Sequence, residues 1–143
     1  QDATDPEQRG ASGGAAINGS VTVNGGSLTV KGGNGGNCIG YAMDFTNGGA
    51  GGAAISGDVT ITDGAVAATG GNGGNIQDSR SGYSIHGGAG GAAIGGNATL
   101  TGGTLTTKQG ANGNQTGRFT SSSVGTGGKA VAGTVTNNGG TVN

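Results

Sequence analysis

The chain has 143 residues, of which 39 are glycine, and only 30% are apolar and 3% aromatic. Six basic and seven acidic side chains nearly cancel. Lys31, Lys108 and Lys129, with three scattered arginines, make no basic face of the kind a nucleic-acid binder needs. One proline and no strict glycine at every third position exclude collagen.

No apolar run approaches the length of a membrane span. A single cysteine, Cys38, excludes an internal disulfide. The chain opens on Gln1 rather than Met and carries no signal-like apolar stretch, so it reads as a processed secreted chain or an excised segment. Regularly spaced Val, Ile and Leu separate it from disordered glycine-rich linkers.

Residues 1–12 (QDATDPEQRGAS) are polar and read as an N-terminal arm. A similar polar segment precedes each later repeat, so the arm also resembles the tail of a missing one. From residue 13 a frame begins, GGAAINGSVTVNGGSLTVKGGNGGN, and it returns from Gly51 and from Gly90 without an internal gap. A shorter copy runs from Gly127 to Asn143. The repeats are therefore 13–50, 51–89, 90–126 and 127–143, within one domain over 13–143. Self-similarity at this period is the signature of a supersecondary unit stacked on copies of itself.

Within each copy, alternation of period two marks strands. Val21–Val23 and Leu28–Val30 form two of them, with Asn24, Gly25 and Gly26 as the turn between, and Ala15–Ile17 is a third extended piece. The same parity recurs in every copy. Ile17, Ile55, Ile94 and Val131 make one inward column, and Val21, Val59, Ala98 and Val135 a second. Leu28, Val66, Leu105 and Val142 make a third, while Thr22, Thr60, Thr99 and Thr136 face outward.

Columns of like residues suit parallel, in-register stacking at about 4.8 Å per layer. An antiparallel hairpin within each copy is the rival, but it would not require matching residue types at a fixed period. The expected fold is all-β, a parallel β-solenoid (β-helix) of about four coils with one variable loop per coil. Its glycine segments, GGNGGN and GGAGG, are either irregular corners with ladders of Asn37, Asn75 and Asn114, or polyproline-II runs packed side by side.

The unusual side chains lie between the copies. Tyr41, Met43 and Phe45 accompany Cys38; Tyr83 and His86 occupy the second segment, and Arg118 and Phe119 the third. Loops on a regular scaffold commonly carry binding function, so Tyr41, Phe45, Tyr83, His86, Arg118 and Phe119 are candidate contacts for a surface receptor or glycan. The same aromatics would also serve to cover a core poor in large side chains.

Catalytic chemistry finds little material. Cys38 and His86 lack a third orienting group, and Asp58 and Asp63 share frame positions with Ser20, Asn97, Thr134, Gly25 and Gly102, so no carboxylate stack results. GGNGGN departs from the calcium-binding glycine-rich nonapeptide because Asn37 and Asn75 replace its acid. No enzyme, cofactor or metal is expected. The outward threonine column resembles an ice-binding face, but its neighbour (Thr29, Ala67, Thr106, Asn143) is only half threonine.

The frame GGxxAIxGxVTVxGGxLTVxGG resembles the glycine-rich tandem repeats of secreted microbial β-solenoid surface proteins and adhesins. That resemblance implies an extracellular location and a stalk, adhesin or matrix role. No polar cap closes the first or fourth copy, leaving open sheet edges. The leading expectation is a structural subunit stacking head to tail with itself. Gln1, Asp2, Pro6 and Arg9 of the arm would meet Val135, Val142 and Asn143 of a neighbour, with an adhesin as the alternative.

Overall fold

The computed structural model describes residues 8–40, 45–78, 84–117, 121–123, 127 and 129–143. Among them there is no helix, and every strand pairing is parallel. The frame contributes β2 (Val21–Lys31), β5 (Val59–Thr69), β8 (Ala98–Leu100), β9 (Thr104–Lys108), β12 (Val135–Asn137) and β13 (Thr141–Val142). They form one sheet in the order β12-β8-β5-β9-β13, with β2 on the free side of β5.

Register is copy on copy. Val21 pairs with Val59, Val59 with Ala98 and Ala98 with Val135; Leu28, Val66, Leu105 and Val142 form a second ladder. Bridges join Ile17 to Ile55, Ile55 to Ile94 and Ile94 to Val131. The hairpin alternative is thereby excluded, since Val23 pairs with Ile61 of the next copy and not with Leu28 of its own.

The expected pair of strands is one continuous run in the first two copies. The register shifts around Asn24–Ser27, where the chain bends. Gly26, Gly64 and Gly103 take positive φ of 75°, 91° and 72° at this bend, a region that side chains with a Cβ rarely enter. The inward face of the bent sheet closes on the bridged isoleucines. Ile55, Ile61, Ile94, Leu100 and Leu105 are fully buried there with Val59 and Val66. Each contributes roughly 1.5–3 kcal/mol relative to exposure.

The segments between copies depart from the expected loops. Their ends are strands: β3 (Cys38–Gly40), β6 (Ile76–Asp78) and β10 (Gln115–Gly117) make a three-stranded sheet. A four-stranded sheet follows from β1 (Gln8–Arg9), β4 (Phe45–Asn47), β7 (Ser84–His86) and β11 (Ser121–Ser123). Residues 8–9 of the arm are thus seated on their own chain, Gln8 opposite Thr46 and Arg9 opposite Asn47. Cys38 and Ile76 are buried here, outside the main core cluster.

Between the two apolar regions, glycine runs face each other as two rows. One zigzag of N–H···O=C bonds climbs between them: Gly33 donates to Gly14 (2.9 Å), Gly52 to Gly33 (2.7 Å), Gly71 to Gly52 (2.8 Å), Gly91 to Gly71 (2.8 Å) and Gly110 to Gly91 (2.9 Å). A second runs through Ala11, Gly36, Gly49, Gly74, Gly88 and Gly113. Bonds within each row tie successive layers, as from Gly35 to Asn72 and Gly51 to Ala89, both 2.8 Å.

This packing assigns a face to each residue of the GGN triplet. A Cβ on the first glycine (Gly32, Gly35, Gly70 or Gly73) would strike a carbonyl oxygen of the opposing row. On the second, Gly71 or Gly74, it would strike Gly33 or Gly36 one layer below. Only the third residue points to solvent, and there Asn34, Asn37, Asn72 and Asn75 stand exposed. The third copy departs from the triplet where it can. Gln109 and Asn112 replace first-position glycines, and a Cβ on Gly127 would meet their side-chain amides.

Gly71→Ala therefore forces a methyl onto the Gly33 carbonyl and is expected to lower unfolding stability by about 3 kcal/mol. Ala50→Ser, at an exposed third position of the opposing row, changes it by about 0.5 kcal/mol or less. Urea unfolding midpoints of the two variants make the comparison.

Candidate functional site

The third triplet positions put asparagines on one face of the stack, in two columns. Their side chains are held by the layer above. Asn75 N–H donates to Asn37 Oδ1 and Asn114 N–H to Asn75 Oδ1, both at 2.8 Å. Asn72 N–H donates to Asn34 Oδ1 at 3.0 Å and Ala111 N–H to Asn72 Oδ1 at 2.9 Å. The ladder expected for Asn37, Asn75 and Asn114 is present, and it accompanies side-by-side glycine packing rather than replacing it.

With Oδ1 of Asn34, Asn37, Asn72 and Asn75 engaged, the Nδ2 groups of these four exposed residues have no hydrogen-bond partner among the described residues. Two shallow grooves flank the Asn37–Asn75–Asn114 column. One, of about 350 Å³, lies between the columns over a floor that includes Gly35 and Gly73. The other, of about 310 Å³, is bounded by Ile76, Gln77 and Thr116. Among the described residues no charged side chain lines either groove.

A third ladder escaped sequence reasoning. Asp58 N–H donates to Ser20 Oγ (3.2 Å), Asn97 N–H to Asp58 Oδ1 (2.7 Å) and Thr134 N–H to Asn97 Oδ1 (2.8 Å). The frame position looked variable because its residue type changes, yet Ser, Asp and Asn share a short oxygen-bearing side chain that captures a nearby N–H. Asp63 has a local role, accepting from Gly64 N–H at 2.7 Å in the bend.

The candidate loop contacts are only partly placed. Tyr41, Tyr83, Arg118 and Phe119 lie outside the described residues. Phe45 and His86 are strand residues: Phe45 pairs with Ser84, and half-buried His86 stands in register with Asn47 and Ser123. Cys38 is on a different sheet, fully buried and in register with Ile76. Among the described residues no three His, Cys, Asp or Glu side chains gather in a metal-binding group. No helix there is long and apolar enough to cross a membrane.

Of the candidate assembly residues, Gln1, Asp2 and Pro6 lie outside the described residues, and Arg9 belongs to β1. Val135 and Val142 are 40% and 39% exposed, although their partners below, Ala98 and Leu105, are fully buried. Asn143 is exposed and extends the ladder, exchanging bonds of 2.8 and 3.0 Å with Leu105 and Thr107.

Asn75→Ala removes the acceptor for Asn114 N–H and is expected to cost about 1 kcal/mol. Asn75→Asp keeps that acceptor, so its urea midpoint should fall less than half as far. Comparison with protein-family models, with curated proteins and with solved structures finds no match for this chain.

Proposed function

We propose that the chain is a β-solenoid in which each copy of the frame forms one coil, and that it serves as a structural subunit of an extracellular filament. The observation that carries this reading is the exposure of Val135 and Val142 directly above buried Ala98 and Leu105. Each lower layer of those ladders is covered by a matching residue of the next copy. In the filament that cover is the Val21 and Leu28 face of a second molecule, itself half-buried and in the same register.

The four-stranded sheet extends the same way, with β11 of one subunit meeting β1 of its neighbour. An extracellular setting follows from the resemblance of the frame to secreted glycine-rich repeats. A second reading, an adhesin, draws on the flanking strands of the variable segments. Gly40, Asp78 and Gly117 are in register where the strands end, and Phe45, Ser84 and Ser121 are in register where they resume. Entry and exit of all three segments therefore share one edge, where Tyr41, Tyr83 and Phe119 would act together on a receptor.

Electron microscopy of the purified chain at rising concentration tests the filament. Wild type is expected to form fibres one subunit wide, and Val142→Asp to remain single with an unchanged unfolding midpoint. Wild-type particles that stay single at every concentration would contradict the proposal. Replacing Tyr41, Tyr83 and Phe119 with alanine leaves fibres intact if those residues serve only a receptor.

A further inference from the structure

The asparagine face is regular in two directions. Along the stack its amides recur once per layer, at about 4.8 Å. Along each glycine run they recur every third residue, about 9.3 Å apart if the run has a polyproline-II rise. Because the ladder oxygens of Asn34, Asn37, Asn72 and Asn75 already accept a backbone N–H, these four residues offer mainly donors, their Nδ2 groups.

The lining narrows the choice of ligand. An anionic polymer would need lysine or arginine, and among the described residues neither groove has one. A nucleic acid would need stacking aromatics as well as positive charge, and among the described residues neither groove has an aromatic. A peptide strand would need backbone groups to pair with, but Gly35 N–H and Gly73 N–H are already given to Asn72 and Ala111 carbonyls at 2.8 Å. An apolar ligand would leave the amides without partners, at a cost for each.

A ligand that fits has neutral oxygen acceptors at short regular intervals and a flat ring that lies on bare backbone. We infer that this face binds a neutral, hydroxyl-rich polysaccharide chain lying along the stack axis. Its hydroxyl oxygens accept from the Nδ2 groups, and its ring faces rest on the Gly35 and Gly73 floor. Each contact is weak because water competes for it, so affinity comes from repetition along the ladder. The inference stands apart from the filament reading, because the face lies along the side of the stack and is present in a single chain.

The test is affinity electrophoresis of the unassembled chain in gels containing soluble neutral polysaccharides: hydroxyethyl cellulose, arabinoxylan and galactomannan. Alginate serves as an anionic comparison. Wild type is expected to be retarded by at least one neutral polymer and not by alginate. The double variant Asn72→Asp with Asn75→Asp keeps both ladder oxygens but removes four N–H donors, and should weaken binding by about tenfold or more.

Should the paired charges unfold that variant, wild-type nuclear magnetic resonance provides the second reading. Side-chain amide signals of Asn34, Asn72 and Asn75 should shift on titration with the retarding polymer, ahead of signals from the variable segments. Retardation by none of the neutral polymers, equal retardation by alginate, or undiminished binding by a folded double variant would each overturn the inference. So would amide signals that stay fixed while those of the variable segments move.

Discussion

Everything in this structure depends on the close approach of glycine backbones between the two facing rows. In the inner layers each glycine run meets a layer below and a row opposite, and both contacts are backbone to backbone, at hydrogen-bond distances of 2.7–3.0 Å along the two zigzags. At such separations there is no room for a Cβ on the first two residues of an inner triplet, as at Gly70, Gly71, Gly73 and Gly74. The glycine content is therefore a packing requirement, imposed on positions that would otherwise host apolar side chains. It also explains how so few large residues suffice. The rows bond to one another and, among the described residues, leave two small apolar regions to fill.

The rest follows in order from that constraint. Rows that bond layer to layer hold the copies in parallel register, so inward residues repeat by type: isoleucine on isoleucine at Ile17, Ile55 and Ile94. The free third face of each triplet can carry a side chain, and asparagine there does double duty. Its oxygen binds the layer above, and its nitrogen is left without a partner among the described residues. A lattice of amides on a backbone floor is thus a by-product of the packing, and it is the surface from which glycan binding is inferred. The open ladders at Val135 and Val142, in turn, supply the argument for stacking between molecules.

Much of this was legible in the residues. The columns of Val, Ile, Leu and Thr announced parallel pairing because a side chain one layer away is the nearest neighbour of each. The asparagine ladder was legible for the same reason. The two-row glycine packing was only half legible, since GGNGGN suits a tight corner as well as an extended run. What decides it is the opposing GGAGGA segment, about twenty residues away in sequence, and local pattern cannot pair the two. The strands flanking each variable segment were missed because Cys38, Ile76 and Gln115 share no residue type. Their register is inherited from the glycine rows. The Ser20–Asp58–Asn97 ladder was hidden by the same change of residue type, although the acceptor geometry is common to all three.

The central claim is that glycine rows pair between copies and between rows. Nuclear magnetic resonance detection of couplings across hydrogen bonds tests it most directly. The ¹⁵N of Gly71 should show coupling to the carbonyl carbon of Gly52, and that of Gly52 to Gly33, the bonds of 2.8 and 2.7 Å. Absence of those couplings, together with close contacts between Val23 and Leu28 of a single copy, would mean that each copy folds on itself and would contradict the account.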